Sequence, residues 1–115
     1  MRILCHNTLW FQGAPYDGDS PEEPLPAVLE ALTNLYKTWQ PHVVCLQEIP
    51  TAEVAREVGE ALGMQGAYSP GLRYEHYGVA TYSVWPMEAL ETPLLETDRA
   101  IQQVTVNAPK RLLRL

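Results

Sequence analysis

Hydrophobic positions along the chain follow two periods, and the switches between them mark out its elements. Residues 41–50 (PHVVCLQEIP) hold a four-residue apolar run bracketed by prolines, which predicts a buried strand. Residues 1–7 (MRILCHN) read as a second buried strand, and it too ends on a polar side chain, Asn7. Between them, Val28, Ala31, Leu32, Leu35, Tyr36 and Trp39 recur at helical spacing behind Pro26, a residue suited to the first helical position, so 26–39 is predicted helix. Strand, helix, strand is the pattern of a parallel crossover unit. A second helix is expected from a Thr51 cap to about Leu62. Val54, Val58, Ala61 and Leu62 form its buried face, Gly63 its left-handed stop, and Glu53, Glu57 and Glu60 a solvated side. Residues 64–70 and 77–85 predict strands, the second ended by Pro86, and 100–106 predicts another. Turn formers crowd residues 10–24, which read as a long surface loop, and GLRYEHY at 71–77 reads as a second loop. Asp17 and Asp19 lack the further ligands of a calcium loop and read as a solvated turn.

Two of the strands end in groups that change the picture. An ionised carboxylate at the mouth of an apolar core is costly unless a cation or a donor pairs it, so Glu48 is a candidate ligand or acid/base group. A strand-end glutamate pointing into water is the plain alternative. If the two strands lie parallel, their C-terminal ends meet at one sheet edge, where open α/β folds keep their ligands, and Asn7 and Glu48 face one another there. Strand alternation then turns His6 to the packed side, as a core histidine rather than a base. In the 71–77 loop, an arginine can meet a phosphate bidentately and a tyrosine can stack on a base or support a sugar. Exposed loop residues also occur for no such reason. The chain has no Gly-Lys-Ser/Thr phosphate loop, no Gly-x-Ser-x-Gly elbow and no Cys/His zinc spacing.

Four segments, RILCHNTLWFQG near the start, PHVVCLQEIP some forty residues on, YGVATYSVWPM at 77–87 and DRAIQQVTV at 98–106, resemble in that order the endonuclease/exonuclease/phosphatase superfamily. The resemblance implies an α/β fold, a partial four-layer α/β sandwich of DNase I-like type with a mixed β-sheet and flanking helices, truncated. Residues 1–115 would be the N-terminal half of such a domain. It implies a metal site at Asn7 and Glu48 holding Mg2+, with Mn2+ able to stand in. It also implies that the strand at 98–106 pairs with the one at 77–87, and that Arg73, His76, Tyr77 and Arg99 lie near the substrate. For Arg99 an ion pair with an acidic neighbour is an equal alternative. The family's later motifs, an Asn-Thr-His strand, a Gly-Asp-x-Asn loop and a Ser-Asp-His, carry its acid/base residues and have no counterpart here. The function implied is a magnesium-dependent phosphoester hydrolase of phosphodiesterase, nuclease or phosphatase type, inactive as these residues alone. Thr8, Leu9 and Trp10 follow Asn7 where the repair-type nucleases have Gly-x-Arg, which points away from an abasic-site or exonuclease role. The reading from another class is a non-catalytic fold fragment or protein-binding module using the tyrosines and the acidic surface.

Composition narrows the partners. A formal charge of −6 with eight Lys and Arg, three of them in the last six residues, disfavours a generic nucleic-acid binder. A phosphorylated small molecule or a lipid headgroup is favoured over duplex nucleic acid. With 115 residues, one domain is expected; no apolar run is long enough for a membrane span and no signal pattern opens the chain, so the cytoplasm is the expected compartment. Cys5 and Cys45 lie in apolar strands and read as buried free thiols. Open strand edges left by a truncated sheet are expected to promote self-association.

Overall fold

The proline-bracketed run forms the central strand of a mixed sheet. A computed structural model of the chain describes residues 1–14, 16–18, 21, 23–91 and 100–109. In it the N-terminal strand β1 (Ile3–Asn7) lies parallel to β2 (Val43–Ile49), as the crossover pattern requires. The sheet continues through β3 (Gln65–Ser69) and β4 (Gly78–Ser83), both antiparallel additions, in the order β1-β2-β4-β3. A separate hairpin-like pair, β5 (Met87–Leu90) and β6 (Gln103–Val106), forms a second, two-stranded antiparallel sheet. Two helices, α1 (Pro26–Thr38) and α2 (Ala52–Leu62), connect the strands of the first sheet. The mixed α/β class expected from the sequence is the one observed.

Alternation along the strands decides what the helices cover. Val44 and Leu46 of β2, Ala80 and Tyr82 of β4 and, in part, Leu4 of β1 turn to one face. Tyr36 of α1 and Val54, Val58 and Leu62 of α2 close over them. Tyr82 is the wedge of this core. Its ring fills the space that side chains at Gly59 and Gly66 would need, and its hydroxyl donates to the Ala55 carbonyl at 2.7 Å. Both helix ends of α2 follow local rules, with the Thr51 hydroxyl accepting from the Val54 amide at 3.1 Å and Gly63 at φ +67° stopping the helix. On the opposite face Thr81 donates to Gln102 Oε1 at 2.7 Å, and Gln102 Nε2 donates to Ser69 at 3.1 Å, tying the second sheet to the first.

Four expectations need correction. The strand at the end of the described chain does not pair with β4. It pairs with β5, because Pro86 interrupts one ladder yet still offers its carbonyl, which accepts from the Asn107 amide at 2.9 Å as a new ladder starts. Strand β1 is an exposed edge, with Ile3 60% exposed, since it has a neighbour on one side and a helix over one face only. The loop after it begins with a buried turn, Trp10 and Phe11, rather than running over the surface. Cys5 and Cys45 are free and in register, but Cys5 is exposed and Cys45 half-buried, because they occupy the sheet face away from the helices. Among the described residues no helix is long and apolar enough to cross a membrane.

Two outcomes are expected. Thr51→Ala should lower stability by about 1 kcal/mol in urea denaturation through loss of the helix cap. Burial pushes the Tyr36 hydroxyl up to about 12 and raises that of Tyr82 as well, from a usual value near 10. Above pH 10 the unfolded chain therefore releases protons that the folded chain retains. Stability should be intact below pH 10 and fall as pH rises toward 12, with tyrosinate absorbance appearing together with loss of ellipticity.

Candidate functional site

The end of β2 contains one residue too many for a regular ladder. Gln47 is opposite Val79 and Ile49 is opposite Gly78, so Glu48 is the extra residue of a β-bulge, and its backbone is left-handed at φ +56°. Had the strand stayed regular, Glu48 would follow Val44 and Leu46 onto the helix-covered face. The bulge moves the parity by one, and Ile49 takes the core position instead, with no exposure at all. Gly78 makes room for this: a Cβ there would lie 2.6 Å from the Ile49 carbonyl oxygen and 2.6 Å from the Tyr68 ring. Glu48 is consequently half-buried at the C-terminal end of β2, and its Oε2 is buried with no hydrogen-bond partner.

Residues 7–11 grip this bulge from the neighbouring strand. Asn7 is opposite Gln47, one position short of Glu48, and its Oδ1 accepts from the Leu9 amide at 2.9 Å. Thr8 is 3% exposed and directs both its backbone and its side chain at β2. Its amide donates to the Gln47 carbonyl at 3.0 Å, and its hydroxyl lies 2.9 Å from the Glu48 carbonyl oxygen and 3.2 Å from that of Gln47. Leu9, Trp10 and Phe11 then take three consecutive left-handed conformations, at φ +49°, +52° and +57°. Each costs about 1–2 kcal/mol for a residue with a Cβ. Burying Phe11 completely and Trp10 nearly so recovers about 1.5–3 kcal/mol for each large apolar side chain.

Trp10 links the turn to the loop before β4. Its indole N–H donates to the His76 carbonyl, and its ring lies 5.7 Å, centroid to centroid, from both the His76 and the Tyr77 rings. His76 and Tyr77 are thus half-buried members of an aromatic cluster, adjoining Gly78 and through it the Ile49 end of the bulge. Tyr74 stacks at 27° on His76, and the Arg73 guanidinium sits 5.2 Å over the Tyr74 ring, both exposed. Arg99 lies outside the described residues. His6 faces α1, as alternation requires, and shares a 2.6 Å hydrogen bond with the Tyr36 hydroxyl, although its ring is exposed rather than in the core.

Asn7 and Glu48 are brought to one edge, with Arg73, His76 and Tyr77 on the adjoining loop. No three His, Cys, Asp or Glu side chains gather into a cluster among the described residues; Glu48 brings a carboxylate and Asn7 a carboxamide to this edge. Sequence reasoning missed Thr8 and Trp10. A bulky apolar pair, Trp10 and Phe11, inside a loop otherwise made of turn formers was the signal for the second; nothing in the sequence signals Thr8.

Trp10→Phe keeps the ring and removes the donor to His76. The variant should remain folded, lose about 1 kcal/mol and show faster amide hydrogen exchange across 74–78 than in the rest of β4. Unchanged exchange there would mean that the indole contact does not hold the loop.

No curated protein sequence matches the chain. Residues 4–112 match the endonuclease/exonuclease/phosphatase family, which spans the bulge, the turn that grips it and the loop beside them. By that match over nearly its whole length, the chain belongs to the endonuclease/exonuclease/phosphatase family.

Proposed function

We propose that this chain supplies the cation-binding edge of a magnesium-dependent phosphoester hydrolase, with Asn7 and Glu48 as the protein's ligands. Membership of a family of phosphoester hydrolases supports the reaction class. The observation that carries the metal is Glu48 Oε2, a buried carboxylate oxygen without a partner at the strand end beside Asn7. A carboxylate oxygen buried without a donor is costly, and a hard divalent cation that prefers oxygen ligands is the partner that would offset the cost. Asn7 Oδ1 has accepted one amide proton and keeps a second lone pair for the same ion. When bound, Mg2+ or Mn2+ would polarise a phosphoryl oxygen and steady a leaving oxygen.

The chain's own residues hold and orient. Arg73, carried on an exposed loop next to the bulge, is the group suited to a phosphate oxygen. The ring face of Tyr74 backs its guanidinium. His76 and Tyr77 shape the wall of the site, their rings packed on Trp10. The net charge of −6 favours a small phosphorylated molecule or a lipid headgroup over duplex nucleic acid. No acid/base group is assigned within residues 1–115, so the reading includes cation binding without turnover by these residues alone.

The test is a Mn2+ titration of the 115-residue chain followed by paramagnetic broadening of its amide signals. Broadening should centre on Asn7, Thr8, Glu48 and Ile49 and disappear in Glu48→Gln, which keeps the shape and removes the charge, while the unfolding free energy stays within about 1 kcal/mol of wild type. Broadening centred on Glu53, Glu57 or Glu75, or surviving the substitution, would refute the assignment.

A further inference from the structure

Which part of the chain sets the aim of Glu48 is answerable from the contacts around the bulge. Glutamate seldom adopts a positive φ, and no hydrogen bond of its own buried carboxylate oxygen Oε2 keeps it there. The peptide carbonyls on both sides of the left-handed residue, those of Gln47 and Glu48, are instead the acceptors for Thr8. The backbone amide of Thr8 serves Gln47 only. Glu48's carbonyl oxygen has the Thr8 hydroxyl, at 2.9 Å, as its donor. On its other side Thr8 is covalently next to Asn7, whose carboxamide is fixed across it by the Leu9 amide. One buried hydroxyl therefore joins the backbone of the residue after Asn7 to the backbone of Glu48, forty positions away.

We infer that Thr8 is a positioning residue for the cation site: its hydroxyl holds Glu48 in the bulged conformation and so sets the spacing between the Asn7 and Glu48 oxygens. The inference rests on the metal reading above and adds a residue that touches neither cation nor substrate. Its chemistry requires a donor at one atom. Valine at position 8 has the same shape with a methyl group in place of the hydroxyl; the Glu48 carbonyl then loses its donor and the residue is free to relax toward an ordinary strand geometry. Serine keeps the donor and loses only a methyl.

The experiment measures Mn2+ affinity for wild type, T8V, T8S and E48Q, from water-proton relaxation and from amide broadening, alongside the thermal midpoint of each. T8V should weaken Mn2+ binding by about 10–100-fold, as removal of a group that orients a ligand does, and T8S should restore it to within a few-fold of wild type. T8V binding Mn2+ as wild type does, while E48Q does not, overturns the role of Thr8 and leaves the metal reading standing. Wild type failing to bind at Asn7 and Glu48 overturns both. Equal losses in T8V and T8S would show that packing, not the hydroxyl, is what matters, and would also overturn it. Should T8V fail to fold, the wild-type hydroxyl proton decides: a slowly exchanging signal with a contact to Glu48 supports the assignment, and exchange at the rate of a solvent-exposed threonine refutes it.

Discussion

A single inserted residue reconciles two demands on β2 that a regular strand cannot meet together. The strand must give the helices a continuous apolar face, and it must end in a carboxylate that is not pressed into that face. Leu46 and Ile49 are three apart where strict alternation would want two, and Glu48 between them is the extra residue. The absence of a side chain at Gly78, the burial of Ile49 and the exclusion of Glu48 from the core all follow from that parity change.

The turn after β1 is the counterpart of the bulge. Three left-handed residues in succession are tolerated because the turn buries Trp10 and Phe11 and is fastened at several points: Thr8 to β2, Phe11's carbonyl to the Leu25 amide ahead of α1, and Trp10 to the loop before β4. Backbone strain of this kind persists only where the surroundings over-determine it. Here those surroundings are the elements that bound the site.

Much of this was legible in the sequence because it depends on local periodicity. The span of α1, the Thr51 cap and the Gly63 stop of α2, and the apolar run of β2 each appear where the pattern puts them. Only part of the α1 stripe is covered, however: Tyr36 is buried and Val28 and Leu32 half-buried, while Ala31, Leu35 and Trp39 are exposed and Thr33 is buried in their stead. Asn7 and Glu48 were legible as strand-end polar groups, and the parallel register brings Asn7 within one position of Glu48. The bulge was not legible, since VVCLQEIP carries no glycine or asparagine to announce a left-handed residue; tertiary pairing with Thr8 and Gly78 imposes it. β5 was hidden for a related reason, because a proline that ends one ladder also precedes the next. The exposure of β1 and Cys5 could not be read either, since hydrophobicity reports what a strand can cover and not whether anything lies against it.

The Thr8 to Glu48 hydrogen bond spans forty residues of chain, most of them α1 and its connections. The edge at which Asn7 and Glu48 meet is thus assembled only when the helix has crossed over and seated on the sheet. No local segment, however well formed, contains it. Anything that binds there draws on the folded crossover alone and stabilises it by mass action against every partly opened form. The strand–helix–strand unit would then tighten in proportion to ligand concentration, and its slowest-exchanging amides would report occupancy of an edge that they do not touch.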